Sequence, residues 1–137
     1  MPVIESLIRS EADGTISFGN YKLQNKSKLE NFEHAGDLYK IKTFYEITKL
    51  ERNGLFVYES VPGTAVDHFT VNHDGVEFNV ECDKDAQITV QLDDDSEYEV
   101  FVNDVAVGGM KTNMSGKLSL STELTEGVVS HVKVVKR

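Results

Sequence analysis

The stretch Tyr98–Leu124, YEVFVNDVAVGGMKTNMSGKLSLSTEL, decides the predicted fold because it reads as three short strands separated by two turns. Apolar and polar side chains alternate from Tyr98 to Val102, and this period of two is typical of a β-strand. Asn103-Asp104 then predicts a two-residue hairpin turn, because Asn and Asp tolerate left-handed backbone angles. Gly108-Gly109, inside the following strand, predicts a β-bulge.

The rest of the C-terminal half repeats this pattern. The second turn, at residues 113–116, leads into a strand in which Leu118 and Leu120 alternate with serines. Other alternating runs are separated by turn residues and lie at Phe69–Val71, Val76–Val80, Ile88–Leu92 and Val128–Val135. About seven strands at this spacing indicate a β-sandwich.

The clearest hairpin of the N-terminal half is Leu38–Ser60, which turns at Asn53-Gly54, the strongest short signal for a type I′ turn. A simple two-residue loop pairs Arg52 with Leu55, Glu51 with Phe56, Leu50 with Val57, and Lys49 with Tyr58. This register leaves apolar side chains on both faces. Either the chain itself covers both faces, or one face contacts another copy. The residues predicted for such an interface are Tyr39, Ile47, Phe56 and Tyr58.

Other N-terminal segments give weaker signals. Val3, Ile4, Leu7 and Ile8 recur at helical spacing, which predicts a short helix with a strand as the rival. Residues 25–34, NKSKLENFEH, predict one or two turns of helix or a loop. Thr15–Phe18 predicts a strand, and Tyr21 with Leu23 predicts the start of another.

Val61-Pro62-Gly63-Thr64 marks the predicted boundary, because proline removes a ladder donor and glycine permits a bend. The predicted fold is all-β and antiparallel, with an N-terminal β-hairpin subdomain at residues 1–62. A β-sandwich module of immunoglobulin or fibronectin type is predicted at residues 63–137.

Charge and composition exclude several classes of function. The 137-residue chain has a net charge of −9, and Asp67–Asp104 holds twelve acidic residues and one basic residue. Such a surface disfavours nucleic acid and anionic membranes, which need Lys and Arg to neutralise phosphate. No apolar run approaches the ~20 residues of a membrane span, and no secretory signal is visible. With a single cysteine, these features predict a cytoplasmic protein, although export by another route stays open.

No residue pattern predicts catalysis. His68 and His73 are five residues apart, which matches neither a strand face nor a helical metal pair. Cys82 lies between Glu81 and Asp83, and these acids raise a thiol pKa instead of lowering it. The chain is therefore predicted not to be an enzyme and to need no organic cofactor.

One cofactor remains open, because a set of acidic side chains offers the oxygen ligands that Ca²⁺ prefers. The candidate ligands are Asp83, Asp85, Asp93 and Asp95. They form either a calcium site, if their loops converge, or a solvated acidic surface.

Two resemblances follow from longer motifs. The segments YEVFVNDVAVG and TNMSGKLSLSTEL resemble the all-β accessory modules at the C-terminal ends of polysaccharide-acting enzymes. Through the segments EADGTISFGNY, GDLYKIKTFYEITKLERNGLFVYESVPGTAV and MKTNMSGKLSLSTEL, the chain resembles a family of short uncharacterised proteins from Firmicutes, some labelled endosialidase. The resemblance implies a fold and a family, and it brings no catalytic residue to this chain.

The sequence therefore predicts a non-catalytic structural or interaction module, with self-association through the Tyr39–Ser60 hairpin as one form of that role. The alternative is a glycan-related accessory module that acts with an enzyme. A glycoside hydrolase acting on sialic acid ranks last, because only Arg9, Arg52 and Arg137 could bind the sugar carboxylate.

Overall fold

The computed structural model of the chain describes residues 3–137, which contain thirteen antiparallel β-strands and no helix. This confirms the all-β prediction. The strands are β1 (Ile8–Ser10), β2 (Ile16–Phe18), β3 (Ser27–His34), β4 (Asp37–Thr43), β5 (Thr48–Arg52), β6 (Leu55–Val61), β7 (Ala65–Asn72), β8 (Gly75–Glu81), β9 (Ala86–Gln91), β10 (Glu97–Val102), β11 (Val105–Lys111), β12 (Lys117–Thr122) and β13 (Ser130–Lys136).

The strands form two sheets that share one hydrophobic core. The seven-stranded sheet has the order β1-β2-β7-β8-β13-β10-β11, and the six-stranded sheet has the order β12-β9-β6-β5-β4-β3. Rings from both sheets meet edge-on: the ring centroid of Tyr58 lies 5.1 Å from that of Phe18 and 5.7 Å from that of Phe78. Burying each such side chain stabilises the fold by roughly 1.5–3 kcal/mol.

The predicted boundary at Val61–Thr64 is the place where the chain crosses from one sheet to the other. β6 belongs to the six-stranded sheet and β7 to the seven-stranded sheet. Pairing also crosses the boundary, because β2 pairs with β7 and β6 pairs with β9. The predicted segments 1–62 and 63–137 therefore share both sheets and one core.

Buried hydroxyl groups hold this crossing in place. Oγ1 of Thr64 lies 2.8 Å from both the hydroxyl of Tyr58 and Oγ of Ser60. The backbone N–H of Thr64 donates to Oγ1 of Thr48 at 3.0 Å. Buried polar groups are costly unless they are hydrogen-bonded. The hydroxyl groups at the crossing avoid this cost by bonding to one another and to the backbone.

The local turn predictions are confirmed. Asn53 and Gly54 have φ values of 52° and 80°, and Asn103 and Asp104 have values of 51° and 66°, as type I′ turns require. A bulge interrupts the pairing of β10 with β11 beside Gly108, whose φ is 128°. β7 to β13 supply the seven strands predicted for the C-terminal half.

Two helix predictions are wrong because strand pairing overrides local periodicity. Near the start, the backbone N–H of Ile4 donates to the carbonyl of Gly19 at 3.0 Å, Leu7 has a φ of 72°, and β1 begins at Ile8. Residues 27–34 form β3, which pairs with β4 through a bulge between Leu29 and Phe32. The strand predicted to begin at Tyr21 is a turn in the structure, and the last strand begins at Ser130.

The predicted register of the central hairpin is correct near its tip and wrong beyond it. Glu51 pairs with Phe56, but Leu50 then pairs with Tyr58, so Val57 is an extra, bulged residue. The predicted pairs Leu50–Val57 and Lys49–Tyr58 are therefore wrong. The bulge turns Tyr58 into the core, where its ring contacts Phe18, and this packing accounts for the shift in register.

Candidate functional site

The four residues predicted for an interface divide between the core and the surface. Tyr58 is fully buried and Tyr39 is 8% exposed, so neither ring can form a contact surface in the folded chain. Ile47 and Phe56 are partly exposed, and strand alternation places both on the outer face of the six-stranded sheet. The candidate surface is therefore this outer face, with only two of the four predicted residues on it.

A row of like charges crosses the outer face. Lys28 pairs in register with Lys42, and Lys42 pairs with Lys49, so these three form a lysine row across β3, β4 and β5. Neighbouring strands lie about 4.8 Å apart, and like charges directly opposite each other are destabilising. Partial burial lowers the pKa of Lys42, and the charges of Lys26, Lys49 and Lys28 lower it further.

Counter-charges only partly neutralise this part of the face. Nζ of Lys49 lies 3.6 Å from a carboxylate oxygen of Glu51, and Nζ of Lys40 lies 3.4 Å from one of Glu30. Neither Lys28 nor Lys42 forms an ion pair with any residue in the range 3–137. The β3–β5 side of the face therefore keeps a positive surplus on a protein whose net charge is −9.

An apolar strip lies beside the lysine row, formed by Phe44, Ile47 and Val61. The pairing of Thr48 with Ser60 brings Ile47 next to Val61, which is 54% exposed. Nζ of Lys26 lies 5.8 Å from the centre of the Phe44 ring, a cation–π contact. The strip is thus continuous with the basic side of the face.

The opposite side of the same sheet ends in an acidic corner, formed by Asp85 and Glu123. Ala86 and Thr122 form the last pair of β9 with β12, and both side chains are buried. Because side chains alternate between the two faces of a strand, the adjacent residues Asp85 and Glu123 lie on the outer face. The carboxylate of Asp85 accepts the backbone N–H of Leu124 at 3.1 Å. Neither acid is in an ion pair within the described part of the chain.

The structure separates the four residues predicted as calcium ligands. Asp83 and Asp85 precede β9 and Asp93 and Asp95 follow it, and a six-residue strand keeps its two ends about 20 Å apart. A carboxylate oxygen of Asp93 lies 2.7 Å from Nζ of Lys136, and one of Asp95 lies 3.2 Å from Nζ of Lys111. Over residues 3–137, no group of three or more His, Cys, Asp or Glu side chains could hold a metal ion.

Cys82 has a structural environment. Its thiol is buried and donates a hydrogen bond to the carbonyl of Gly63 at 3.1 Å. Burial raises the pKa of the thiol, and the neighbouring carboxylate of Asp83 raises it further. The reactive thiolate form is therefore disfavoured at neutral pH.

One serine–histidine pair was not found from the sequence. Oγ of Ser10 lies 2.7 Å from Nδ1 of His34, and Nε2 of His34 lies 3.0 Å from the carbonyl oxygen of Gly14. A carbonyl can only accept, so Nε2 carries a proton and the neutral ring accepts at Nδ1 from Ser10. Such a pair can activate a hydroxyl, and here it joins β1, at the edge of one sheet, to β3, at the edge of the other.

Comparison of the chain with profiles of known protein families, with curated proteins and with solved structures returns no match. The resemblances based on the sequence motifs therefore stay predictions. Within the part of the chain that the structure describes, no helix has the length and hydropathy of a membrane span.

Proposed function

We propose that this chain is a non-catalytic interaction module that self-associates through the outer face of its six-stranded sheet. The observation that carries the proposal is the apolar strip, in which Val61 is 54% exposed beside Ile47 and Phe44. Apolar side chains that adjoin one another on an exposed sheet face are typical of a contact surface, whereas isolated ones are not.

The lysine row gives separate support for the same proposal. Three lysines in register weaken the sheet, because like charges that face each other across strands repel. Nothing in the packing of the fold requires lysine at Lys28, Lys42 or Lys49, since their side chains point away from the core. Residues that cost stability and lie on one surface are typical of binding sites.

Light scattering coupled to size-exclusion chromatography tests the proposal. We expect the mass of the wild-type protein to rise above that of a monomer as its concentration increases. Ile47→Asp and Val61→Asp place a charge in the apolar strip and should return the mass to that of a monomer. The matched control is Val105→Asp on β11 of the other sheet, where Val105 is 62% exposed. A wild type that stays monomeric at every concentration would refute self-association.

A glycan-related accessory role is the second proposal, supported by Tyr45. This ring is 41% exposed and lies with its centre 5.4 Å from that of Phe44. Exposed aromatic rings are a common surface for sugars, because the ring and the sugar stack face to face. Binding of monomeric protein to a sugar array, lost in Tyr45→Ala and kept in Tyr21→Phe, would favour this role over self-association.

A further inference from the structure

The outer face of the six-stranded sheet carries opposite charges on its two sides. The lysine row lies on β3, β4 and β5, and the acidic corner lies at the ends of β9 and β12. The apolar strip adjoins the row, and Val61 of the strip lies on β6, between the two charged groups. A surface of this kind can be complementary to itself.

We infer that a second copy of the chain binds this face about a two-fold axis that passes beside Val61, each lysine row meeting the acidic corner of the other copy. This inference rests on the proposed self-association and adds its symmetry and its contacts. The complex is a closed dimer, because a two-fold interface uses the same surface on both partners.

The position of Val61 follows from the strand order and register. Across the sheet the order is β12-β9-β6-β5-β4, so β6 lies midway between the acidic corner and Lys42. Along the strands, the lysine row is level with Thr89, because Lys49 pairs with Glu59 and Glu59 pairs with Thr89. Val61 pairs with Gln87, which lies midway between Thr89 and Asp85. Val61 is therefore midway between the two charged groups in both directions.

A two-fold axis then fixes what each residue meets. In a two-fold interface, when one residue contacts a second, the second contacts the first on the other copy. If the lysine row meets the acidic corner, the residue midway between them meets its own counterpart. A charged residue there would repel itself, whereas Val61 is apolar and 54% exposed.

The negative charge of the protein also argues against a long polyanion as the ligand of this face. Nucleic acid or an extended anionic polymer would run beyond the lysine row onto a protein of net charge −9. On the face itself, Glu59 adjoins Lys49 in register and the acidic corner closes the far side. In a second copy, the acidic corner faces the lysine row of the first copy, and its lysine row faces the acidic corner of the first copy. The charges are therefore complementary at both ends of the interface.

Charge reversal with mixing tests the contacts. Lys42→Glu and Glu123→Lys should each dimerise about tenfold or more weakly than wild type, because each variant places like charges against each other twice. An equimolar mixture should recover dimers. In the mixed pair the acid introduced at position 42 meets the base introduced at position 123, and the unchanged Lys42 of one chain meets the unchanged Glu123 of the other. Both positions are solvent-accessible, and thermal unfolding checks that each variant is folded.

Cross-linking tests the axis separately. Val61→Cys should form a disulfide-linked dimer under mild oxidation, because the two thiols would face each other. Val105→Cys, equally uncharged and on the other sheet, should not cross-link, and Cys82 is buried in both proteins.

The outcomes separate this inference from the proposed function. A wild type that is always monomeric overturns both. A wild type that dimerises while Lys42→Glu and Glu123→Lys dimerise equally well overturns only the two-fold charge arrangement. Growth of the mixture into species larger than a dimer, or capture of a short DNA duplex or heparin by monomeric wild type through Lys42, also overturns it.

Discussion

The hydroxyl of Tyr58 lies 2.8 Å from Oγ1 of Thr64, and both residues are fully buried where the chain crosses between the sheets. Tyr58→Phe removes this hydroxyl and leaves Thr64 one partner short. We expect the free energy of unfolding to fall by about 1–2 kcal/mol, measured by urea titration. Tyr45→Phe is the matched control, because Tyr45 is 41% exposed and lies outside the core, and this substitution should change stability little. Equal effects at the two positions would contradict the hydrogen-bonded role of Tyr58.

Tyr58 also predicts how stability depends on alkaline pH. Burial raises the pKa of its phenol above the ordinary value of 10.0. The folded state thus holds the proton more tightly than the unfolded state. The contribution of the protonated phenol to folding stability is complete below about pH 10, and it is lost as the pH rises through the folded-state pKa. The slope for one group is at most about 1.4 kcal/mol per pH unit.

Tyr58→Phe should therefore lose stability less steeply than wild type above pH 10 in urea titrations at a series of pH values. Some of the alkaline loss should remain, because burial also raises the pKa of Tyr21 to about 12. Parallel pH profiles for the variant and the wild type would show that Tyr58 is not the group responsible.

The bulge at Val57 predicts opposite fates for two neighbouring rings. Phe56→Asp should fold with a stability loss of about 1 kcal/mol, because Phe56 lies on the outer face under Lys117. Tyr58→Asp should not fold, because it buries an unpaired carboxylate in the core. Circular dichroism and amide NMR spectra distinguish the two results. If Tyr58→Asp folded and Phe56→Asp did not, the result would contradict the bulge and support the unbulged register, in which Leu50 pairs with Val57.

The lysine row predicts a substitution that stabilises the protein. Lys42→Thr removes the central like charge and adds a residue that favours strands, so we expect a gain of about 0.5 kcal/mol at low salt. The gain should shrink as added salt screens the repulsion. Lys133→Thr is the control, because Lys133 pairs with Glu77 and its removal relieves no repulsion. A loss of stability in Lys42→Thr would mean that the row does not cost the fold anything.

The Ser10–His34 pair predicts a structural role without nucleophilic activity. His34→Ala should lower the free energy of unfolding by about 1 kcal/mol, because the ring joins the edges of the two sheets through two hydrogen bonds. A fluorophosphonate probe should leave Ser10 unlabelled. Labelling at Ser10 that disappears in His34→Ala would reveal an activated serine and contradict the non-catalytic proposal.

Local chemistry was enough to predict the turns. Asn53-Gly54 and Asn103-Asp104 adopt positive φ values, a conformation that their residue types tolerate well. Alternation likewise predicted the buried faces at Leu118 and Leu120, which are 2% and 4% exposed. These features depend on few neighbours in sequence, so the sequence alone contains them.

Features that depend on distant partners were not predictable in this way. The bulge at Val57 exists because Tyr58 packs against Phe18, forty residues away in the chain. β3 is a strand because β4 pairs with it, although its own residues are mostly polar. The candidate surface also needed this information, since Lys28, Lys42 and Lys49 come into line only once three strands are in register.

The separation of the four aspartates has a different origin. Asp83 and Asp95 are close in sequence, and the strand between them was predicted correctly, but its length holds the two acidic loops at opposite ends of the sheet. Closeness in sequence therefore gave a false impression of closeness in space. The number of residues between the two pairs of aspartates, multiplied by the rise per residue of a strand, already predicts their separation.

β13 follows β8 and β10 in sequence, yet it lies between them in the interior of the seven-stranded sheet. Until it is present, β1, β2, β7 and β8 have no hydrogen-bonded connection to β10 and β11. During synthesis on the ribosome, the strand edges of β8 and β10 that pair with β13 therefore stay open until β13 has emerged. Open strand edges can pair with those of neighbouring nascent chains, so the yield of folded protein should depend on how quickly β13 emerges after β8 and β10.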